Sequence, residues 1–192
     1  MYVSLDEVKI ALGLYLDDPA DDVALQLAID AASAMVDEHC GRRFDQVVGE
    51  RLFTLESGKV YVDDVADGLV VAVDLDGDGV HERVLTATEF RALPLNAAAS
   101  DQPVTSLVDL AVQPSGTQTR GAIKVTATFG WPVVPSVVRH AAFALALRLY
   151  RRVSGPFGVA GSPALGEQAQ AWADADVEAQ LRHLVLRYPL AA

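Results

Sequence analysis

Ile123-Lys124-Val125-Thr126-Ala127-Thr128-Phe129-Gly130-Trp131-Pro132 alternates strictly, with Ile123, Val125, Ala127 and Phe129 apolar and Lys124, Thr126 and Thr128 polar between them. That period of two is the pattern of a half-buried β-strand. Trp131-Pro132 ends it. A few residues on, Pro135 and Ser136 open a helix, with proline tolerated in the first turn. The helix continues through Ala141-Ala142-Phe143-Ala144-Leu145-Ala146-Leu147-Arg148-Leu149-Tyr150, which is apolar nearly all round. Such a helix needs cover on more than one side, and in a small domain the second side can be a neighbouring subunit. Arg151 and Arg152 fall in its last turn, where cations offset the free carbonyls.

Upstream, residues 50–130 keep the strand period. Leu52-Phe53-Thr54-Leu55 and Val60-Tyr61-Val62 flank Ser57-Gly58 as a hairpin. Leu69 to Val73 is β-branched, Asp76-Gly77-Asp78-Gly79 is a turn, and Arg83-Val84-Leu85-Thr86 resumes as a strand. Phe90 to Leu95 is a further short strand, and residues 96–103 are a loop. The links are too short for helical crossovers, so the strands are expected to pair antiparallel. The N-terminal part is helical. Ser4 and Glu7 form a capping box, Val3 and Val8 a hydrophobic staple, and Gly13 a stop after about Leu12. Asp21 or Asp22 caps a second helix, whose stripe is Leu25, Ala28, Ile29, Ala32, Met35 and Val36 and whose end is Cys40-Gly41. Gly155 to Gly166 holds four glycines and two prolines and reads as a flexible or extended link. A last helix is expected from about Asp174 to Leu186, ended by Pro189.

The expected class is therefore α+β: one domain over 1–192, a bundle of roughly four helices with an inserted antiparallel β-rich segment. Residues 1–49 and 133–154 form the helical core, 50–132 the insert, and 155–192 the link and a C-terminal helix or arm.

The chain has 192 residues, 51% of them hydrophobic and 21% charged, with a net charge of −11. Such a length can bury about 70% of its unfolded-state surface without staples. Cys40 is the one cysteine, which excludes an internal disulfide framework. No stretch reaches the roughly 18 apolar residues of a membrane span. Met1 to Glu7 lacks the basic and apolar regions of a secretory signal, so the expected place of synthesis is the cytoplasm. Residues 1–110 carry 22 of the 26 acids and 7 of the 15 bases, a balance of −15, against +4 for the remainder. An acidic first part does not attract nucleic-acid phosphates. Two parts of opposite sign suit contact between copies, or simply a solvated surface.

Asp74, Asp76 and Asp78 match positions one, three and five of a calcium loop, with Gly77 at four and Gly79 at six; the twelfth position is Leu85 rather than glutamate. An acidic β-turn accounts for the same residues. A calcium- or carbohydrate-binding module on the β segment is the alternative function. His39 and Cys40 are too few for a metal site, and the other histidines are scattered. The glycine-rich stretch lacks the Gly-Lys-Ser/Thr ending of a phosphate loop, and Ser162 lacks a nucleophile elbow. The second helix carries Asp30, Asp37 and Glu38 instead of base-reading side chains. No catalytic residue, metal or cofactor is assigned.

The order of features resembles the head-tail adaptor (connector) family of tailed phages and prophages, and related adaptors of gene-transfer particles. The stretches that carry the resemblance are Tyr2-Val3-Ser4-Leu5-Asp6-Glu7-Val8-Lys9, Ala28-Ile29-Asp30-Ala31-Ala32-Ser33-Ala34 and Cys40-Gly41-Arg42-Arg43-Phe44. They continue with Asp76-Gly77-Asp78-Gly79, Thr128-Phe129-Gly130-Trp131-Pro132-Val133-Val134-Pro135, Leu149-Tyr150-Arg151-Arg152 and Pro156-Phe157-Gly158-Val159. The resemblance implies a non-enzymatic virion protein, made in the host cytoplasm and ending in the particle neck. There it would form a ring, commonly of about twelve copies, under the portal. The ring would extend the DNA channel without sequence-specific binding and present a platform to a stopper or tail-completion protein. On this reading Phe143, Leu147, Arg148, Tyr150, Arg151 and Arg152 meet an adjacent copy. Phe157, Val159, Leu181, Leu184 and Tyr188, within 155–192, dock on the portal.

Overall fold

The computed structural model describes residues 1–14, 19–112, 114, 120–154 and 175–186. The chain divides into two compact units, one formed by Met1–Arg42 with the residues from Val134 onward, the other by Arg43–Val133.

The first unit is helical. Helix α1 (Leu5–Leu12) begins at Ser4, whose side chain accepts the Glu7 N–H while Glu7 takes the Ser4 N–H; Gly13 ends it in a left-handed conformation. Val3 and Val8 are both buried, as the staple requires. Helix α2 (Pro19–Cys40) starts earlier than the aspartates suggest: Pro19 takes the first helical position, and Asp21 and Asp22 sit in the first turn. Asp22 pairs with Lys9 of α1 at 2.5 Å. Leu25, Ala28, Ile29, Ala32 and Val36 are buried, so the stripe faces the core. Helix α3 (Ser136–Ser154) packs along α2. Helix α4 (Ala175–Leu181) is shorter than the apolar pattern predicts. After Leu181 the chain turns, with Leu184 N–H on the Leu181 carbonyl and Leu186 N–H on the Cys40 carbonyl. The glycine-rich link, Asp174 and Pro189 lie outside the described residues.

The second unit is a seven-stranded sheet in the order β1-β7-β3-β6-β5, with β2 and β4 also paired to β3. The strands are β1 (Val47–Phe53), β2 (Leu55–Glu56), β3 (Lys59–Val73), β4 (Arg83–Leu85), β5 (Arg91–Leu93), β6 (Val104–Val108) and β7 (Ile123–Phe129). All the pairings are antiparallel. Ser57 and Gly58 both have positive φ, so β2 and β3 close through a two-residue turn that suits strand twist. Strand β3 joins Val60-Tyr61-Val62 to Leu69–Val73 as one 15-residue strand. Its register shifts between Val65 and Val70, where Asp67 and Gly68 bulge. Strand β6 falls in a stretch whose sequence shows no strand period.

Val60, Val65, Val71, Val73, Leu107, Ile123, Val125 and Phe129 form the core of this unit. The protein is therefore α+β in a stronger sense than a bundle with an elaboration: the sheet is a substantial body with a core of its own. Among the described residues, no helix is long and apolar enough to cross a membrane.

Candidate functional site

The segments by which the chain enters and leaves the sheet unit meet in a cluster of specific contacts. Phe44 and Trp131 rings lie 5.5 Å apart. Trp131 Nε1–H donates to Asp64 Oδ2 at 2.9 Å, in a buried bond, and the Gly130 N–H donates to the Asp64 carbonyl at 2.7 Å. The Gln46 amide donates to the Trp131 and Pro132 carbonyls, each at 3.0 Å. Gly130 has φ of +117°, and a Cβ there would lie 2.2 Å from the Asp45 carbonyl oxygen. Only glycine lets the two segments come this close. The structure thus brings together Phe44 and Gly130-Trp131, two of the stretches that carry the resemblance, and adds Asp64, which no local sequence pattern singles out.

On α3, Tyr150 is buried and its hydroxyl donates to Asp21 Oδ1 at 3.0 Å, within the helical unit. Phe143 and Leu147 are half-buried, and Arg148, Arg151 and Arg152 are exposed. Phe143 lines a groove of about 480 Å³ with Ile10, Ala11 and Arg139. Leu181 and Leu184 are buried in the helical unit, Leu181 lining a second groove of about 260 Å³ with Val36 and Leu145. Phe157, Val159 and Tyr188 lie outside the described residues. Among the described residues, neither groove is lined by a serine or cysteine.

Asp74, Asp76 and Asp78 do converge, with one oxygen from each within 4.8 Å of the others. Their oxygens are engaged by the turn itself. Asp74 accepts the N–H groups of Gly77 and Gly79 at 2.8 and 2.9 Å, Asp76 that of Asp78, and Asp78 that of Val80. Burial raises the Asp74 pKa, but the amides of Gly77, Gly79 and Asp76, with His81 nearby, outweigh it and hold the carboxyl below its ordinary value. This is the arrangement of an Asx-stabilised turn. Cys40 is fully buried, and burial pushes its pKa up to about 11, with Arg42 opposing and Asp37 adding. The thiol is therefore protonated near neutrality and unfit as a nucleophile.

No family model matches the chain, and no curated protein matches it. Solved structures do match its fold. One, described as the neck of an empty GTA particle computed with C6 symmetry, contains a chain with a TM-score of 0.61 and 18% identity, over 99% of this chain and 93% of that one. A second, the virion of a native gene transfer agent (GTA) particle, contains a chain with a TM-score of 0.57 and 17% identity over the same shares. The likeness spans both units, so the combination of helices and sheet is a fold shared with these particle chains.

Proposed function

We propose that the chain is a structural subunit of the neck of a tailed-phage-like or gene-transfer particle, a head-tail adaptor repeated as a ring beneath the portal. The observation that carries this reading is the fold likeness over 99% of the chain to a neck chain. The C6 symmetry of that neck supports repetition around the DNA axis. On this reading the role is non-enzymatic, and the acidic first part of the chain suits a channel through which DNA slides, since few fixed cations face its phosphates.

Phe143, Leu147, Arg148, Arg151 and Arg152 supply contacts to the adjacent copy, with buried Tyr150 holding α3 in place to present them. The segment 155–192, with Phe157, Val159 and Tyr188, docks on the portal, anchored through Leu181 and Leu184. The test is native mass measurement of the purified chain with and without the portal protein of the same particle. A multimeric complex with portal is expected. Absence of any portal association at high concentration would overturn the reading, whereas a monomeric free chain would not.

A further inference from the structure

Two helices of the first unit carry apolar stripes on their outer faces, and the charges on the two stripes have opposite signs. On α2, Val23, Leu27, Asp30, Ala31, Ala34 and Glu38 are exposed, and the exposed His39 lies off their face. They recur at three- and four-residue steps and share one face, opposite the buried Leu25, Ala32 and Val36. Val23 and Leu27 are 63% and 66% exposed, and no base lies in the stripe. On α3, Ala144, Leu147, Arg148 and Arg151 form the corresponding outer stripe. Ala144 and Leu147 are half-buried, Arg148 and Arg151 are exposed, and no acid lies among them.

We infer that the α2 stripe of one copy receives the α3 stripe of a second copy of this chain. Three features select that occupant. Among the described residues, the apolar positions of each stripe lack full cover, while Ala31, Ala34 and Ala144 are small enough for helix axes to approach closely. The acids of one stripe and the arginines of the other are complementary in sign. The same stripes meeting like to like would set Asp30 and Glu38 against their own copies, or Arg148 and Arg151 against theirs, which charge repulsion opposes. Each contact therefore joins two different surfaces. The inference rests on the reading of the chain as a repeated neck subunit and names the surfaces by which it repeats.

The test mixes two single-substitution proteins, Leu27→Cys and Leu147→Cys, at high concentration both with and without the portal protein, and adds a flexible bis-maleimide; the buried Cys40 makes unsubstituted chain the blank. A mixed dimer exceeding either same-variant dimer by about tenfold is expected. Adding Asp30→Arg to the Leu27→Cys chain should cut its yield by about fivefold, and adding Arg148→Asp and Arg151→Asp to the Leu147→Cys chain should then restore it. No excess of the mixed dimer, or charge reversals without effect on it, would overturn the inference. Portal association without that excess would retain the neck reading and sink this interface. The excess without portal association would do the reverse.

Discussion

Ser4-Leu5-Asp6-Glu7 in the helical unit and Thr86-Ala87-Thr88-Glu89 in the sheet unit share one spacing, a hydroxyl residue with a glutamate three positions on. The local bonds are nearly the same. Ser4 donates to Glu7 Oε2 from its N–H at 2.9 Å and from its hydroxyl at 3.1 Å; Thr86 donates to Glu89 Oε2 at 2.8 and 2.9 Å. Each glutamate also takes an arginine, Arg139 for Glu7 and Arg83 for Glu89. Only the first opens a helix. There the Glu7 N–H goes to the Ser4 hydroxyl, whereas the Glu89 N–H goes to the Thr86 carbonyl and closes a turn. The residues just beyond each glutamate make the difference. Val8, one residue past Glu7, is fully buried, so the next turn has a core to join. After Glu89 the chain enters β5, which pairs with β6, and Pro94 comes directly after that strand. Closing a first turn is local chemistry; propagating it depends on where the next apolar face can go.

The same contrast holds at the scale of the units. The sheet unit fixes its entry and exit segments through a few polar bonds around Gly130, while the helical unit spreads its cohesion over apolar stripes, ion pairs and hydroxyl–carboxylate bonds such as Tyr150–Asp21. Gly130→Ala should therefore have the largest effect. Its methyl group would overlap the Asp45 carbonyl, at a φ that side chains rarely adopt. A loss of more than about 4 kcal/mol is expected in denaturant unfolding of the sheet unit. Wild-type stability in this variant would mean that the entry segment yields, and the contrast between the units would fail.

Trp131→Phe comes next. It keeps the ring against Phe44 but removes the buried indole donor to Asp64, with an expected cost of about 2 kcal/mol. Hydrogen exchange should place the loss in β1 and β7. The helical counterpart is Tyr150→Phe, which removes the hydroxyl bond to Asp21 and should cost about 1 kcal/mol, read in the exchange of α2 and α3 amides. Equal costs for these two variants would mean that the sheet clasp holds no more than an ordinary bond.

The two units differ in how much of them is legible in the sequence, for related reasons. Strand β7 and the ends of α1 are legible because Ile123 to Phe129 alternates without interruption and Ser4, Glu7 and Gly13 signal at short range. Strand β3 reads as separate runs, because Asp63-Asp64 and Asp67-Gly68 suppress the strand pattern and only pairing with β6 and β7 overrides them. Strand β6 gives no signal: Val104-Thr105-Ser106-Leu107-Val108 is short and its polar Ser106 is buried, which breaks the alternation. The Asp64–Trp131 bond joins residues 67 positions apart, beyond any local pattern. The outer stripe of α2 is present in the spacing of Val23, Leu27, Ala31 and Ala34. It is hidden because the inner stripe of the same helix is also apolar, and periodicity alone does not say which face is covered.

The smallest expected effect returns to the paired tetrads and uses pH. In Glu7, bonds from the Ser4 backbone and hydroxyl, with Arg139, outweigh burial and hold the carboxyl below its ordinary value; in Glu89, Thr86 and Arg83 do the same. A carboxyl whose folded pKa lies below its unfolded one, about 4.3 for glutamate, stabilises the fold above that value. The contribution is lost as pH falls through the folded pKa. Ser4→Ala and Thr86→Ala should each lower the melting temperature slightly near neutrality, and each gap to wild type should narrow as pH falls below about 4. Ser4→Ala should show the larger gap, because its tetrad also begins a helix that must propagate, whereas Thr86→Ala loosens only a turn. Equal gaps would mean that the cap acts no further than its own four residues.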